Sequence, residues 1–217
     1  MRRIVIVGAG GHAQVVADIL LRAHDFGVDD VPVAFVDADA SLWGQRFLGL
    51  PVLGDEGELE RTEHEAVIVG IGDNRIRARV FERLREAGRN VARAVHPHAV
   101  LAPDVEVGAG VVICAGVVVN TGSKLGDNSI LNTGCTVDHH NLIGRHAHVA
   151  PGVHLAGAVQ VGEGAFLGIG SCVIPGRSVG EWAMVGAGAA VVRDVAARTT
   201  VVGVPARPQA VSRRPQH

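Results

Sequence analysis

Five histidines crowd the stretch from His139 to His154: His139, His140, His146, His148 and His154. Histidine titrates near neutral pH and offers either a lone pair that takes a proton or a nitrogen that binds metal, so the stretch could hold a general base or zinc ligands. Near the N-terminus, Gly8-Ala9-Gly10-Gly11 follows the apolar run Arg3 to Val7 and precedes a helical pattern from His12 to about His24. This matches G-x-G-x-x-A at a strand-to-helix turn, where backbone N–H groups and the helix dipole meet a phosphate or another polar ligand group. A second strand, Val31 to Val36, ends at Asp37, whose carboxylate can accept hydrogen bonds from ligand hydroxyl or N–H groups. A third, Ala66 to Ile71, ends at Gly72-Asp73-Asn74 before a helix that runs to about Ala87. Three parallel strand ends should line one crevice, about half a dinucleotide fold, which suits a nucleotide sugar better than a dinucleotide.

The elements that position the histidines are written in a repeat. Stepping by six from Leu101 through Val107, Ile113 and Val119 to Val191 gives sixteen positions, all aliphatic. A second period lies inside the first: Gly108, Gly126, Gly144, Gly162 and Gly180 recur every eighteen residues. Three hexads therefore make one triangular coil of short strands, with glycine expected to supply turn conformations closed to other residues. Successive coils should stack about 4.8 Å apart, and sixteen hexads give about five of them. Hexads of this kind resemble the left-handed parallel β-helix, although periodicity alone does not give the hand. On this count Gly157 lies one full coil after His139, on the same corner, and His148 lies half a coil away. The expected organisation is a small α/β Rossmann-like nucleotide-sugar domain at 1–90, a β-helix at 91–195 and a C-terminal tail at 196–217.

Composition narrows the partners. Twenty basic and 22 acidic residues, with a net charge of −2, leave no excess that would draw nucleic acid or an anionic membrane. No apolar run reaches the roughly 18 residues of a membrane span. Cys114, Cys135 and Cys172 are odd in number without CxxC spacing, and the N-terminus lacks a signal-peptide pattern; the expected compartment is the reducing cytoplasm. Twenty-nine glycines, no tyrosine and 3% aromatics fit an interior of small repeated aliphatics. A structural rod is the alternative, but a rod does not need the histidines.

The GAGGH-containing α/β unit, the uninterrupted hexapeptide helix and the closing Val202-Gly203-Val204-Pro205-Ala206 together resemble the bacterial sugar acetyltransferases of the NeuD/PglD type. The resemblance implies acetyl-CoA as cosubstrate, no metal, a nucleotide-linked amino sugar as acceptor, and a homotrimer with active sites between neighbouring β-helices. It makes His139 the general base and, with the stacking above, the Gly157 N–H the oxyanion donor. It gives acetyl-CoA contacts to His148, Ile169 and Ala187, and sugar or nucleotide contacts to Gly10, Gly11, His12, Asp37, Gly72 and Asn132. The family usually has an acid directly after the base; this chain has His140 there, and Asp138 is the remaining carboxylate that could orient it. His140, His146 and His154 read as surface residues. O-acetylation of a sugar such as a sialic acid, a zinc β-helix carbonic anhydrase and a non-catalytic scaffold are the rival readings.

Overall fold

Ile4, Val5, Ile6 and Val7 are each at most 3% exposed, which requires cover on both faces of their strand. The computed structural model, which describes residues 1–209, provides that cover. Strand β1 (Arg2–Val7) is central in a parallel sheet. On one side lies β2 (Asp30–Val36), followed in the chain by a hairpin of β3 (Arg46–Phe47) and β4 (Leu50–Pro51); on the other lies β5 (Ala66–Val69). Alternate residues of β1 serve opposite layers, as the two-residue strand period demands. Ile4 and Ile6 pack with Val16, Ile19 and Leu20 of helix α1 (Gly11–Asp25), whereas Val5 and Val7 join Phe81 and Leu84 of helix α2 (Asn74–Glu86). Strand β5 stops short of the expected Ile71 because Gly70 runs against α1, where an added Cβ would come within 2.7 Å of Ala13.

No linker follows. The Val67 N–H donates to the Asn90 carbonyl and the Ala92 N–H to the Val67 carbonyl, at 2.9 and 2.8 Å. Residues 90–92 thus run beside β5 and pass straight into the first β-helix strand, Ala94–Val95. From there two-residue strands stack in parallel on three faces, in the eighteen-residue register that the hexads require: Val118–Val119, Thr136–Val137 and His154–Leu155 are successive rungs of one face. The second residue of each rung points inward, and Val137, Leu155 and Val173 are at most 2% exposed. The first face carries Thr136 and His154, the second Lys124, Leu142 and Gln160, and the third Ile130, His148 and Phe166. The α/β unit covers the early coils of the third face, whose outward residues Val112, Ile130 and His148 are buried, while Met184 further along the same face is exposed.

The helix has about six coils rather than five, and it does not end at Val195: Val195 bridges Val179 and Thr200–Val202 pairs with Met184–Val185. These last rungs follow at sixteen residues instead of eighteen, so a strict period loses them; the rest of the expected tail, 210–217, lies outside the described residues. The period-eighteen glycines do not make the turns expected of them. Gly126, Gly144 and Gly162 are not left-handed; a Cβ on them would lie 2.5 to 2.7 Å from a backbone nitrogen of the next coil. They permit close stacking. The left-handed residue recurs every six positions, two residues later: Gly110, Gly116, Gly122, Asn128, Gly134, His140, His146 and onward to Gly188.

Candidate active site

His139 stands on the corner between the first and second faces, between Thr136–Val137 and Leu142–Ile143. Buried Asn141 fixes this turn from inside: its side-chain amide donates to the carbonyls of Asp138 at 2.7 Å and Ala156 at 3.0 Å. The eighteen-residue stack then sets Gly157 against the imidazole. A Cβ at Gly157 would lie 2.5 Å from His139 Nε2 and closer still to Cε1, so only glycine admits the ring here. The Gly157 carbonyl accepts from the Gly176 N–H at 3.0 Å, while the Gly157 N–H has no acceptor among the described residues. An open imidazole nitrogen and a free backbone donor side by side can take a proton and steady a developing oxyanion.

Asp138 does not orient that imidazole. Its carboxylate accepts from the Asn120 amide at 2.9 Å and from the backbone N–H of His139 at 2.8 Å, and these bonds hold it below the ordinary carboxylate range. The group at His139 Nδ1 is His140 Nδ1, 3.0 Å away. Two neighbours on an extended segment would point apart, but the φ of +56° at His140 ends the extended run and brings the rings together.

A second cluster forms where the α/β unit meets the third face. His148 is 8% exposed, between His12 and Phe166, and accepts at Nε2 from the Asn132 amide at 3.2 Å. Gly72 adjoins His12, with an added Cβ 3.8 Å from the His12 Cβ. His12, Gly72, Asn132 and His148 therefore share one place, and His148 keeps company with the expected sugar contacts rather than with Ile169 and Ala187. His12 Nε2 and His148 Nδ1 are buried without a hydrogen-bond partner, a cost that a ligand's polar groups would remove. Gly10 and Gly11, at the start of α1, have open space where a Cβ would stand, and no side chain caps this helix. Its first N–H groups are free for an anion. Asp37 pins the glycine loop, accepting from the Ala9 N–H at 2.7 Å and the Asp39 N–H at 2.8 Å. It also borders a crevice of about 660 Å³ at the ends of all three strands, with Val7, Val36 and Ile71.

What seats the two units on each other is Arg77, a residue that sequence reasoning missed. It is fully buried on α2 and donates to the carbonyls of Asn128 at 3.1 Å, Ile71 at 3.2 Å, Gly72 at 3.1 Å and His146 at 2.8 Å, and to Asn74 Oδ1 at 3.0 Å. Burial pushes its guanidinium down to about 10, with Asp73 opposing, so it stays charged at neutral pH. His146, read as a surface residue, is buried beside it, with Nδ1 accepting from Asn128 at 2.8 Å and Nε2 at 3.0 Å from Glu82. His154 lies exposed on the first face beside Thr136.

The five histidines are thus parted among separate places. Among the described residues, no three His, Cys, Asp or Glu side chains converge as a metal site would require. Cys114 and Cys135 are buried thiols pushed up to about 11 and about 12 by desolvation, which makes them poor nucleophiles. Ile169 and Ala187 stack one coil apart, both exposed, on the corner between the third and first faces. No described helix is long and apolar enough to cross a membrane.

Burial lowers His148 to about 3 and His12 to about 4, with the charge of Arg77 adding to both. Unfolded, each titrates near pH 6.5. Below that pH the unfolded chain takes up protons that the folded chain refuses, so stability is full above about pH 6.5 and drains as pH falls toward the folded values. Thermal unfolding across this window should show a midpoint that falls steadily, with a shallower fall for His148→Gln. A midpoint flat from pH 6.5 to pH 4 contradicts the burial of neutral rings.

Comparison with known proteins bears on both units. Residues 3–84 match the PglD N-terminal domain. The fold superposes with a TM-score of 0.88 on PerB from Caulobacter crescentus, solved in complex with CoA and GDP-perosamine, at 42% identity over 95% of this chain and 96% of that one. It superposes with a TM-score of 0.87 on the acetyltransferase domain of PglB from Neisseria gonorrhoeae in complex with acetyl coenzyme A, at 35% identity over 96% and 99% of the two chains. Carnitine operon protein CaiE from Salmonella agona is 36% identical over 124 residues, 52% of this chain and 61% of that protein. The chain spans less than two thirds of the length of the curated relatives it matches.

Proposed function

The chain belongs to the bacterial sugar acetyltransferases of the PglD/NeuD type, and on that premise we propose that it moves an acetyl group from acetyl-CoA to the amine of a nucleotide-linked 4-amino-4,6-dideoxy sugar. His139 is the base and the Gly157 N–H the oxyanion donor. The observation that carries this reading is the contact between Gly157 and the His139 ring. As the neutral amine attacks the thioester carbonyl, a C–N bond forms and the amine proton passes to His139 Nε2. The carbonyl oxygen, briefly an oxyanion, accepts from the Gly157 N–H. Collapse breaks the C–S bond, and the imidazolium returns its proton to the departing thiolate. PerB binds GDP-perosamine and CoA, which supports acetylation of an amine over that of a hydroxyl.

The nucleotide end fits the α/β unit. The free N–H groups at the start of α1 suit the phosphates, and the orphaned nitrogens of His12 and His148 suit the polar groups of the sugar. That cluster, however, is on the third face, opposite the corner that carries His139. Ile169 and Ala187 are on yet another corner. These groups stand on different sides of one chain, which supports a site completed by a neighbouring copy and hence the homotrimer. The reading keeps the expected cytoplasmic setting, which the free cysteines Cys114, Cys135 and Cys172 support.

The test is a transfer assay with acetyl-CoA against UDP- and GDP-linked 4-amino-4,6-dideoxy sugars, read by mass spectrometry. We expect one of them to gain an acetyl group, and His139→Ala to lose about 10² to 10⁴ in kcat while the protein stays folded. No turnover on any sugar, or an active His139→Ala, overturns the proposal.

A further inference from the structure

His139 can serve as a base only if its Nε2 carries a lone pair, which requires the ring hydrogen to reside on Nδ1. That Nδ1 is 3.0 Å from the Nδ1 of His140, the two rings lying edge to face with centroids 5.2 Å apart. At this separation one nitrogen carries a hydrogen and the other accepts it. If His140 donates, the hydrogen of neutral His139 is forced onto Nε2 and the base is lost. If His139 donates, Nε2 is open beside Gly157. The choice rests on where His140 keeps its own hydrogen.

The far edge of the His140 ring lies over Gly122, where an added Cβ would be 2.7 Å from Cδ2 and 3.0 Å from Nε2. This glycine is held by Asp104, whose carboxylate accepts from the Gly122 N–H at 2.9 Å and the Thr121 hydroxyl at 2.8 Å. Asp104 thus stands on the Gly122 side, the side toward which the Cδ2–Nε2 edge of His140 is turned, and a negative charge on that side favours a hydrogen on Nε2 and a lone pair on Nδ1. The other charged groups nearby are Asp138, occupied by Asn120 and the His139 N–H, and the Lys124–Glu106 pair on the adjoining second face.

From this geometry we infer that His140 is a positioning residue for the proposed reaction: accepting at Nδ1, it holds His139 in the tautomer whose Nε2 is open, with Asp104 setting the proton of His140 across Gly122. The inference rests on His139 being the base. It also accounts for the missing acid after the base, since a neutral imidazole can fix a tautomer as a carboxylate does. It does so with less electrostatic support for the imidazolium that forms during transfer. A carboxylate in its place should therefore make His139 more basic.

Two readouts on the full-length protein decide it. In long-range ¹H–¹⁵N spectra of histidine-labelled protein near pH 8, with His139 identified by its loss in His139→Asn, we expect Nε2 of His139 to be unprotonated. His140→Gly, which suits a φ of +56°, should mix the two tautomers. With acetyl-CoA and GDP-perosamine as probes, His140→Gly should lower kcat about 10- to 100-fold with KM for acetyl-CoA nearly unchanged. His140→Glu should recover most of that loss and move the acid limb of kcat/KM up by about one pH unit. Hydrogen on Nε2 of wild-type His139 overturns the inference, as does His140→Gly with wild-type tautomer and kcat. If the wild type does not turn over these probes, the choice of substrate fails, and the tautomer spectra still decide the role of His140.

Discussion

Gly157→Ala is expected to lower kcat by about 10²- to 10³-fold, the range for losing an oxyanion donor, while the β-helix keeps its fold. The added methyl would stand 2.5 Å from His139 Nε2 and nearer to Cε1. The ring must swing away, taking the base from the donor beside it. Backbone strain contributes nothing, because Gly157 is not among the left-handed positions. Kinetics with acetyl-CoA, together with circular dichroism of the variant, separate the two effects: a folded, inactive protein is the expected result. Near-normal kcat would mean that the corner carrying His139 and Gly157 is not where acetyl transfer occurs.

The second large effect lies at the junction of the units. Arg77→Met should cost about 3 to 5 kcal/mol, because it strips the donor from several buried carbonyls, and should raise KM for the nucleotide sugar. Methionine fills the volume but leaves the carbonyls of Asn128, Ile71, Gly72 and His146 without their donor in a dry interface, and each orphaned group costs about 1 to 3 kcal/mol. His12 and Gly72 belong to one side of that interface and Asn132 and His148 to the other, so loosening it spreads the cluster they form. Urea unfolding at fixed protein concentration and steady-state kinetics provide the check. A loss below about 1 kcal/mol would show that the apolar contacts alone hold the units together.

The repeat was legible because a β-helix writes its coil length directly into the order of side chains. Val137, Leu155 and Val173 stack at eighteen residues, and the same arithmetic put Gly157 over His139. Where the backbone departs from that period the reading stopped: the final rungs, Val195 and Val201, come two residues early. The left-handed corners were present in the sequence as a six-residue series that is mostly glycine, with Asn128, from Gly110 to Gly188, but interrupted by His140, His146, Ala158 and Trp182. The glycines at eighteen, which exist for close stacking, obscured them. His140 occupies one of those corners, which is why its partnership with His139 could not be read from strand alternation. Arg77 was invisible for another reason. On a helix dense in arginine, at Arg75, Arg77, Arg79, Arg83 and Arg85, nothing local distinguishes the one that turns inward until the β-helix is packed against it.

The most direct test of the account is the structure of the assembled protein with acetyl-CoA bound. The thioester is expected between two copies of the chain, its carbonyl oxygen within hydrogen-bond distance of the Gly157 N–H and its carbonyl carbon in reach of an amine whose proton points to His139 Nε2. A thioester bound away from this corner, or within a single chain remote from His139, would contradict it.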